Sequence, residues 1–212
     1  MFHSNTLIIK NLGLQSYFPV WQAMQDFTEQ RKADTDDEIW LLEHPPVFTL
    51  GRNGKAEHLL KSTDIPLINI DRGGQITYHG PGQMIVYLLI DIKRRGLGVR
   101  KLISLIEQSI INTLADYQLS AYAKKEAPGV YIGEAKIAAL GLRIKKGCSF
   151  HGLSLNVAMD LSPFKTINPC GYKELQIVQL SDYVADVQLL QVQQKLISYL
   201  AKAMGYARII DK

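Results

Sequence analysis

The sequence predicts an α/β (α+β) fold, a mixed sheet flanked by helices, in a single domain spanning residues 1–212. Three observations predict it. Strand-like runs outnumber helical ones, long amphipathic helices punctuate them, and no linker, internal repeat or low-complexity tract divides the chain. Runs of strands interleaved with helices close around one sheet. Hydrophobic residues make up 47% and charged residues 21% of the chain, the balance of a protein that buries a real core.

The elements follow in order. Thr6 to Lys10 is short, apolar and β-branched, a first strand. From Gln15 or Ser16 to about Lys32, Phe18, Trp21, Met24, Gln25 and Thr28 recur at helical spacing around Val20 and Phe27. Asp34 to Asp37 reads as an acidic turn and Glu38 to Glu43 as a strand, which His44-Pro45-Pro46 interrupts because neither proline can donate a ladder hydrogen bond. Val47 to Leu50 resumes an extended path, Glu57 to Lys61 is one helical turn, and Pro66 to Asp71 is a strand.

Asp71 to Tyr87 is the densest stretch, with Gly73-Gly74 and His79-Gly80-Pro81-Gly82 around a short alternating run. It predicts a strand pair whose loops line a pocket. Met84 to Ile92 is nearly all apolar, as in a strand buried on both faces. Leu102, Ile103, Ile106, Ile110, Leu114 and Tyr117 mark one face of a helix from Val99 to about Gln118. Strands are expected at Ala121 to Lys124, Pro128 to Gly133, Lys136 to Lys145 and Cys148 to Val157. Pro163 to Tyr172 is a loop, Glu174 to Leu180 a strand or short helix, and Val187 to Met204 a final helix.

Composition excludes several functions. A net charge of +4 without a dense Lys/Arg block does not argue for nucleic acid. No basic start leads into an apolar core, and no run approaches a membrane span, so a cytoplasmic chain without membrane association is expected. Two cysteines, Cys148 and Cys170, make no disulfide framework, and no His/Cys spacing suits a metal. Cys148 falls in a strand pattern and is read as a small apolar residue. Cys170 lies in a loop between a proline and a glycine, where a thiol can be reactive. Lys136 opens an apolar strand, and His79 and His151 each precede a glycine. From the residues alone this is a glycine-rich pocket with a candidate thiol.

The segments taken together go further. Arg72-Gly73-Gly74-Gln75-Ile76-Thr77-Tyr78-His79-Gly80-Pro81-Gly82-Gln83 resembles the signature of the lipoyl(octanoyl) transferases. Glu43 to Gly51, Gly133 to Gly141, His151 to Asn156 and Asn168 to Tyr172 resemble further blocks of that family, in family order. The resemblance implies the fold of biotin and lipoate protein ligase catalytic domains. It implies that Cys170 is the acyl-accepting nucleophile and Lys136 its partner. It implies substrate contacts by Arg72, Gly73, Gly74, Gln75, Ile76, Thr77, Tyr78 and His79, by Ala139, Leu140 and Gly141, and by Gly152, Leu153 and Ser154. Gly73, Gly74, Gly141 and Gly152 are expected to leave room for the acyl chain.

The implied activity moves an octanoyl group from the phosphopantetheine of acyl carrier protein, through a thioester on Cys170, to a lysine of a lipoyl domain. Lipoyl domains of 2-oxoacid dehydrogenases and the glycine cleavage H protein are the implied acceptors. No cofactor and no metal are expected, and the chain is expected to be a monomer. Arg72, Arg94, Arg95, Arg100 and Lys145 are candidates for steering an acidic partner. The alternatives are an ATP-dependent lipoate or biotin ligase of the same fold, a Cys-His hydrolase using His79 or His151, and a non-catalytic acyl-chain or lipoyl-domain binding module.

Overall fold

The computed structural model describes residues 5–171 and 175–212, apart from the side chains of Ala56 and Cys170. Eleven strands and three α-helices follow one another among them: β1 (Thr6–Leu14), α1 (Tyr17–Gln30), β2 (Asp37–Glu43), β3 (Val47–Leu50), β4 (Leu67–Asn69), β5 (Ile76–His79), β6 (Gln83–Leu89), α2 (Val99–Ala115), β7 (Tyr122–Ala123), β8 (Gly129–Ile132), β9 (Ala135–Lys145), β10 (Cys148–Asn156), α3 (Leu189–Ala203) and β11 (Arg208–Asp211). Eight strands form one mixed sheet in the order β11-β1-β2-β6-β10-β9-β8-β7, and β4-β3-β5 form a second, small one. No helix of the described residues is long and apolar enough to cross a membrane.

Side-chain alternation splits the large sheet between two cores. Ile39 and Leu41 of β2 and Met84, Val86 and Leu88 of β6 join the core under α2 and α3. Trp40, Leu42, Ile85, Tyr87 and Leu89, the residues between, pack with Val20 and Met24 of α1 on the other face. The uninterrupted apolar run of β6 is thus explained: it lies between β2 and β10 and is covered on both sides.

Three expectations are corrected. The stretch 71–87 is no strand pair, because β5 pairs with β3 in the small sheet while β6 lies in the large one. The turn between them carries the chain from one sheet to the other, as His44-Pro45-Pro46 does between β2 and β3. Asp37 is no turn residue. It is fully buried at the start of β2, where its carboxylate accepts hydrogen bonds from Arg31 Nη2 at 2.6 Å, Arg94 Nη2 at 2.8 Å and the Tyr206 hydroxyl at 2.8 Å. Residues 208–211, not expected to be extended, add β11 parallel to β1. The expected segment from Glu174 begins outside the described residues. Its described part forms a parallel bridge, Ile177 to Lys136, and then a short 3-10 turn, Leu180–Asp182.

Candidate active site

Between the small sheet and the β9-β10 ladder lies a cavity of about 400 Å³, in the range of small-molecule sites. Its wall is mainly apolar, from Ile76, Ile85, Leu140, Leu142, Ile144 and Leu153, with Val99 and Ile103 of α2 on one side. Arg72, Gly73, Gly74, Gln75, Ile76, Thr77, His79, Ala139, Leu140, Gly141, Gly152, Leu153 and Ser154 all line it, as does Lys136. Residues separated by as many as 82 positions in the chain are brought together because β9 and β10 pair in register, Gly141 opposite Gly152 and Ala139 opposite Ser154.

Tyr78 is the exception among the residues expected to contact substrate. On β5, Thr77 and His79 line the cavity, while Tyr78 points the other way and packs between Phe48 and Phe164, with centroids 5.5 Å from each. Strand alternation forbids all three from sharing one face. Two of these glycines also sit close against the protein itself. A Cβ on Gly152 would lie 2.0 Å from the Val86 carbonyl oxygen, and one on Gly141 would lie 3.0 Å from Arg72 Cδ. Gly152 makes room for the neighbouring strand, and Gly141 for the Arg72 side chain. Gly73 closes this corner by donating its N–H to Leu142 O at 3.1 Å.

Lys136 is 3% exposed. Its Nζ donates to Pro128 O at 3.3 Å and lies 5.2 Å from the centroid of the Tyr131 ring. Its backbone is held by the segment after the cysteine turn: Lys136 N donates to Gln176 O at 2.8 Å, and Val178 N to Lys136 O at 3.1 Å. The short helix Pro169–Gly171 carries Cys170, whose side chain lies outside the described ones. Pro169 and Lys136 nevertheless flank one small void of about 10 Å³, which shares Thr77, Ala139 and Ser154 with the large cavity. Tyr172, the end of the expected cysteine loop, is outside the described residues.

Behind the cavity runs a buried polar network. Arg72 Nη2 donates to Thr49 O at 2.8 Å and to Thr49 Oγ1 at 2.9 Å. Gln83 Nε2 donates to Tyr78 O at 3.2 Å and Asn156 Oδ1 at 2.9 Å, so Gln83 Oε1 is left to accept from His79 Nδ1 at 2.7 Å. His79 Nε2 therefore carries the lone pair, and the Thr49 hydroxyl, 3.3 Å away, donates to it. His44 is set in the same way: Nδ1 donates to Gln15 O at 2.6 Å, and Nε2 accepts from the Tyr87 hydroxyl at 2.7 Å.

Burial pushes the pKa of His79 down to about 3 and that of His44 down to about 4, the latter against the pull of its bond to Gln15. Burial also lowers His151, whose Nε2 donates to Asp71 Oδ1 at 3.0 Å. All three imidazoles are neutral near pH 7, so the His151–Asp71 contact is a hydrogen bond to a carboxylate rather than an ion pair. Burial would raise Asp71, but hydrogen bonds from His151 and Trp21 outweigh it and bring its pKa down to about 2. Cys148 is buried and its thiol is pushed up by that burial, an inert position.

The model of the lipoyl protein ligase A/B catalytic domain matches residues 16–201. The chain belongs to the lipoyl protein ligase A/B catalytic-domain family. Curated relatives include octanoyltransferases: that of Hahella chejuensis is 55% identical over 98% of this chain and 92% of its own length, and that of Azotobacter vinelandii 58% identical over 94% and 92%. Among solved structures, a bipartite lipoate protein ligase from Thermoplasma acidophilum superposes with a TM-score of 0.74 at 16% identity, over 100% of this chain and 86% of that one. Biotin protein ligase from Aquifex aeolicus superposes with a TM-score of 0.55 at 12% identity, over 94% and 69%. The fold is that of the lipoate and biotin protein ligases.

Sequence reasoning left out several residues of this cavity. Tyr17 and Tyr87 line it beside His151, which the sequence had marked as a candidate, and His44 stands behind them, its ring 4.9 Å from that of Tyr17. Tyr87 carried a signal, a lone hydroxyl inside an apolar run. Tyr17, Val99 and Ile103 carried none, since a helix residue reveals its neighbour only after packing. Arg72, Arg94 and Arg95 are removed from the set of steering residues. Arg72 is buried against Thr49, and Arg94 and Arg95 face Asp37.

Proposed function

We propose that the chain transfers an octanoyl group from a carrier-protein thioester to a lysine of a lipoyl domain, by way of an acyl thioester on Cys170. The observation that carries this reading is the near full-length identity of 55–58% to octanoyltransferases, in a chain that keeps Lys136 at the wall of an apolar cavity. One structural neighbour belongs to an archaeal lipoylation system, a bipartite lipoate protein ligase and its E2 lipoyl domain from T. acidophilum, which supports a lipoyl domain as acceptor here.

In the first step the Cys170 thiolate attacks the thioester carbonyl and the carrier thiolate leaves, taking the proton of the Lys136 ammonium, which becomes a neutral amine. A free cysteine with a pKa near ~8.5 is only a few per cent thiolate at pH 7, and a nearby lysine cation would lower that value. In the second step the deprotonated lysine amine of the acceptor attacks the acyl-enzyme, an amide forms, and the Cys170 thiolate departs. Lys136 is the group to take the proton that the amine gives up. Exchange between thioesters is nearly isoenergetic; the amide makes the second step downhill. Seven saturated carbons in the apolar cavity contribute on the order of 5 kcal/mol at ~0.8 kcal/mol per CH₂. His44 and His79 are neutral and have both ring nitrogens hydrogen-bonded, to Gln15 and Tyr87 and to Gln83 and Thr49, so neither penalises an uncharged ligand.

This reading needs no cofactor and no metal, and it describes a cytoplasmic enzyme acting as a monomer with acyl carrier protein as donor. Intact-mass measurement with octanoyl-carrier protein and no nucleotide tests it. A hydroxylamine-labile octanoyl adduct, absent from Cys170→Ala, is expected. Acylation only in the presence of ATP would assign the chain to the ligases instead.

A further inference from the structure

The geometry points to Glu107 of α2 as the residue that positions Lys136, acting through a single peptide group. Glu107 Oε1 accepts the N–H of Gly129 at 3.0 Å. Lys136 Nζ donates to the carbonyl of Pro128 at 3.3 Å. That N–H and that carbonyl are the two ends of one amide plane, which turns only as a rigid unit. The carboxylate and the amine therefore grip opposite ends of the same group.

The need for such a grip follows from Gly129. Its φ is +143°, and an added Cβ would lie 2.7 Å from Ala138 O and 3.0 Å from Lys136 Cε. Glycine is required for the lysine chain to pass over it. Glycine also leaves the peptide plane the freest to rotate. A neighbour must hold the plane, and Glu107, half-buried where α2 packs on β8, is the side chain bonded to it. An anion on the N–H end also strengthens the carbonyl as an acceptor. Burial raises the Glu107 carboxyl, while the Gly129 N–H and the charge of Lys136 lower it, which places the two side chains within electrostatic reach. Tyr131 on β8, with Lys124 4.6 Å from its ring centroid, also faces the amine, and Glu126 lies in the same loop as Pro128.

This inference rests on the reading of Lys136 as the partner of Cys170. The test compares octanoyl-adduct formation by intact mass in wild type, Glu107→Ala, Glu107→Gln and Lys136→Ala, with hydrogen exchange at the Gly129 amide measured alongside. Alanine is the best helix former, so the variant keeps α2. Glu107→Ala is expected to slow acylation by about 10- to 100-fold, the size of effect that misplacing a reacting group by an ångström produces. It should also speed exchange at Gly129. Glu107→Gln, which keeps an acceptor oxygen, should recover most of the rate and the protection. Wild-type acylation in Glu107→Ala, or a Gln variant no better than Ala, would overturn the positioning role. If Lys136→Ala acylates at the wild-type rate, it is the catalytic reading that fails; the grip on the peptide then stands or falls on Gly129 exchange alone.

Discussion

Lowering the pH from 7.5 to 4.5 is expected to remove most of the stability of this fold, through two histidines. His44 and His79 are 0% and 7% exposed, and burial holds their pKa values at about 4 and about 3. Unfolded histidine titrates near ~6.5. Depressed values mean that the unfolded chain binds protons the native one refuses. The stability that these groups contribute is complete above pH ~6.5 and falls as the pH drops toward the native values. At pH 4.5 each neutral imidazole costs the native state ~2.5 kcal/mol relative to the unfolded one, about 5 kcal/mol for the pair. That is as large as the whole stability of many domains. His151, also lowered, adds in the same direction. Asp71, held at about 2, titrates below this window. Glu107, whose carboxyl burial raises, acts in the opposite sense and is only half-buried. Urea denaturation at half-unit steps of pH measures the effect. A slope approaching two protons between pH 6 and 4.5 is expected, reduced by about one in His79→Gln. A flat profile across that range would refute the neutral, buried assignment of both rings.

Other outcomes follow from the same geometry. Asp37→Ala strands Arg31 and Arg94 without their carboxylate and should cost about 3–5 kcal/mol in urea denaturation. Tyr78→Phe should leave KM for the octanoyl donor unchanged, because the ring faces Phe48 and Phe164 rather than the cavity; a raised KM would place it in the site. Gly141→Val should narrow the acyl cavity by pushing Arg72 Cδ, shifting preference to shorter chains by about 1–3 kcal/mol per methylene in kcat/KM, and an unchanged chain-length profile would count against the close approach. Arg100 is exposed on α2 beside the cavity residue Val99, so Arg100→Glu should lower kcat/KM for an acidic donor at low salt and leave kcat alone.

What could be read from the sequence divides along a physical line. Period-two and period-3.6 patterns are local, so the long strands and the three helices were legible, the apolar run 84–92 most of all. Arg208–Asp211 was not, since an exposed edge strand of four residues buries little and leaves no pattern. Asp37 was misread as a turn residue because an aspartate in an acidic run looks solvated until Arg31 from the end of the preceding helix and Arg94 and Arg95 from a distant segment surround it.

The residues that share the cavity were legible only as separate motifs. Lys136, the glycine pair at 73–74 and the Gly141–Gly152 pair reach one place through strand pairing, and pairing is a property of the folded sheet. By itself the sequence determined the elements, the apolar faces and the chemical groups on offer, because these depend on neighbours in the chain. Only the tertiary structure decided that Tyr78 turns away, that Gly152 lies against the Val86 carbonyl of the neighbouring strand, that three histidines are neutral, and that Glu107 and Lys136 hold one peptide between them. Each of these depends on what lies across space within a few ångströms, where burial and hydrogen bonding set both orientation and charge.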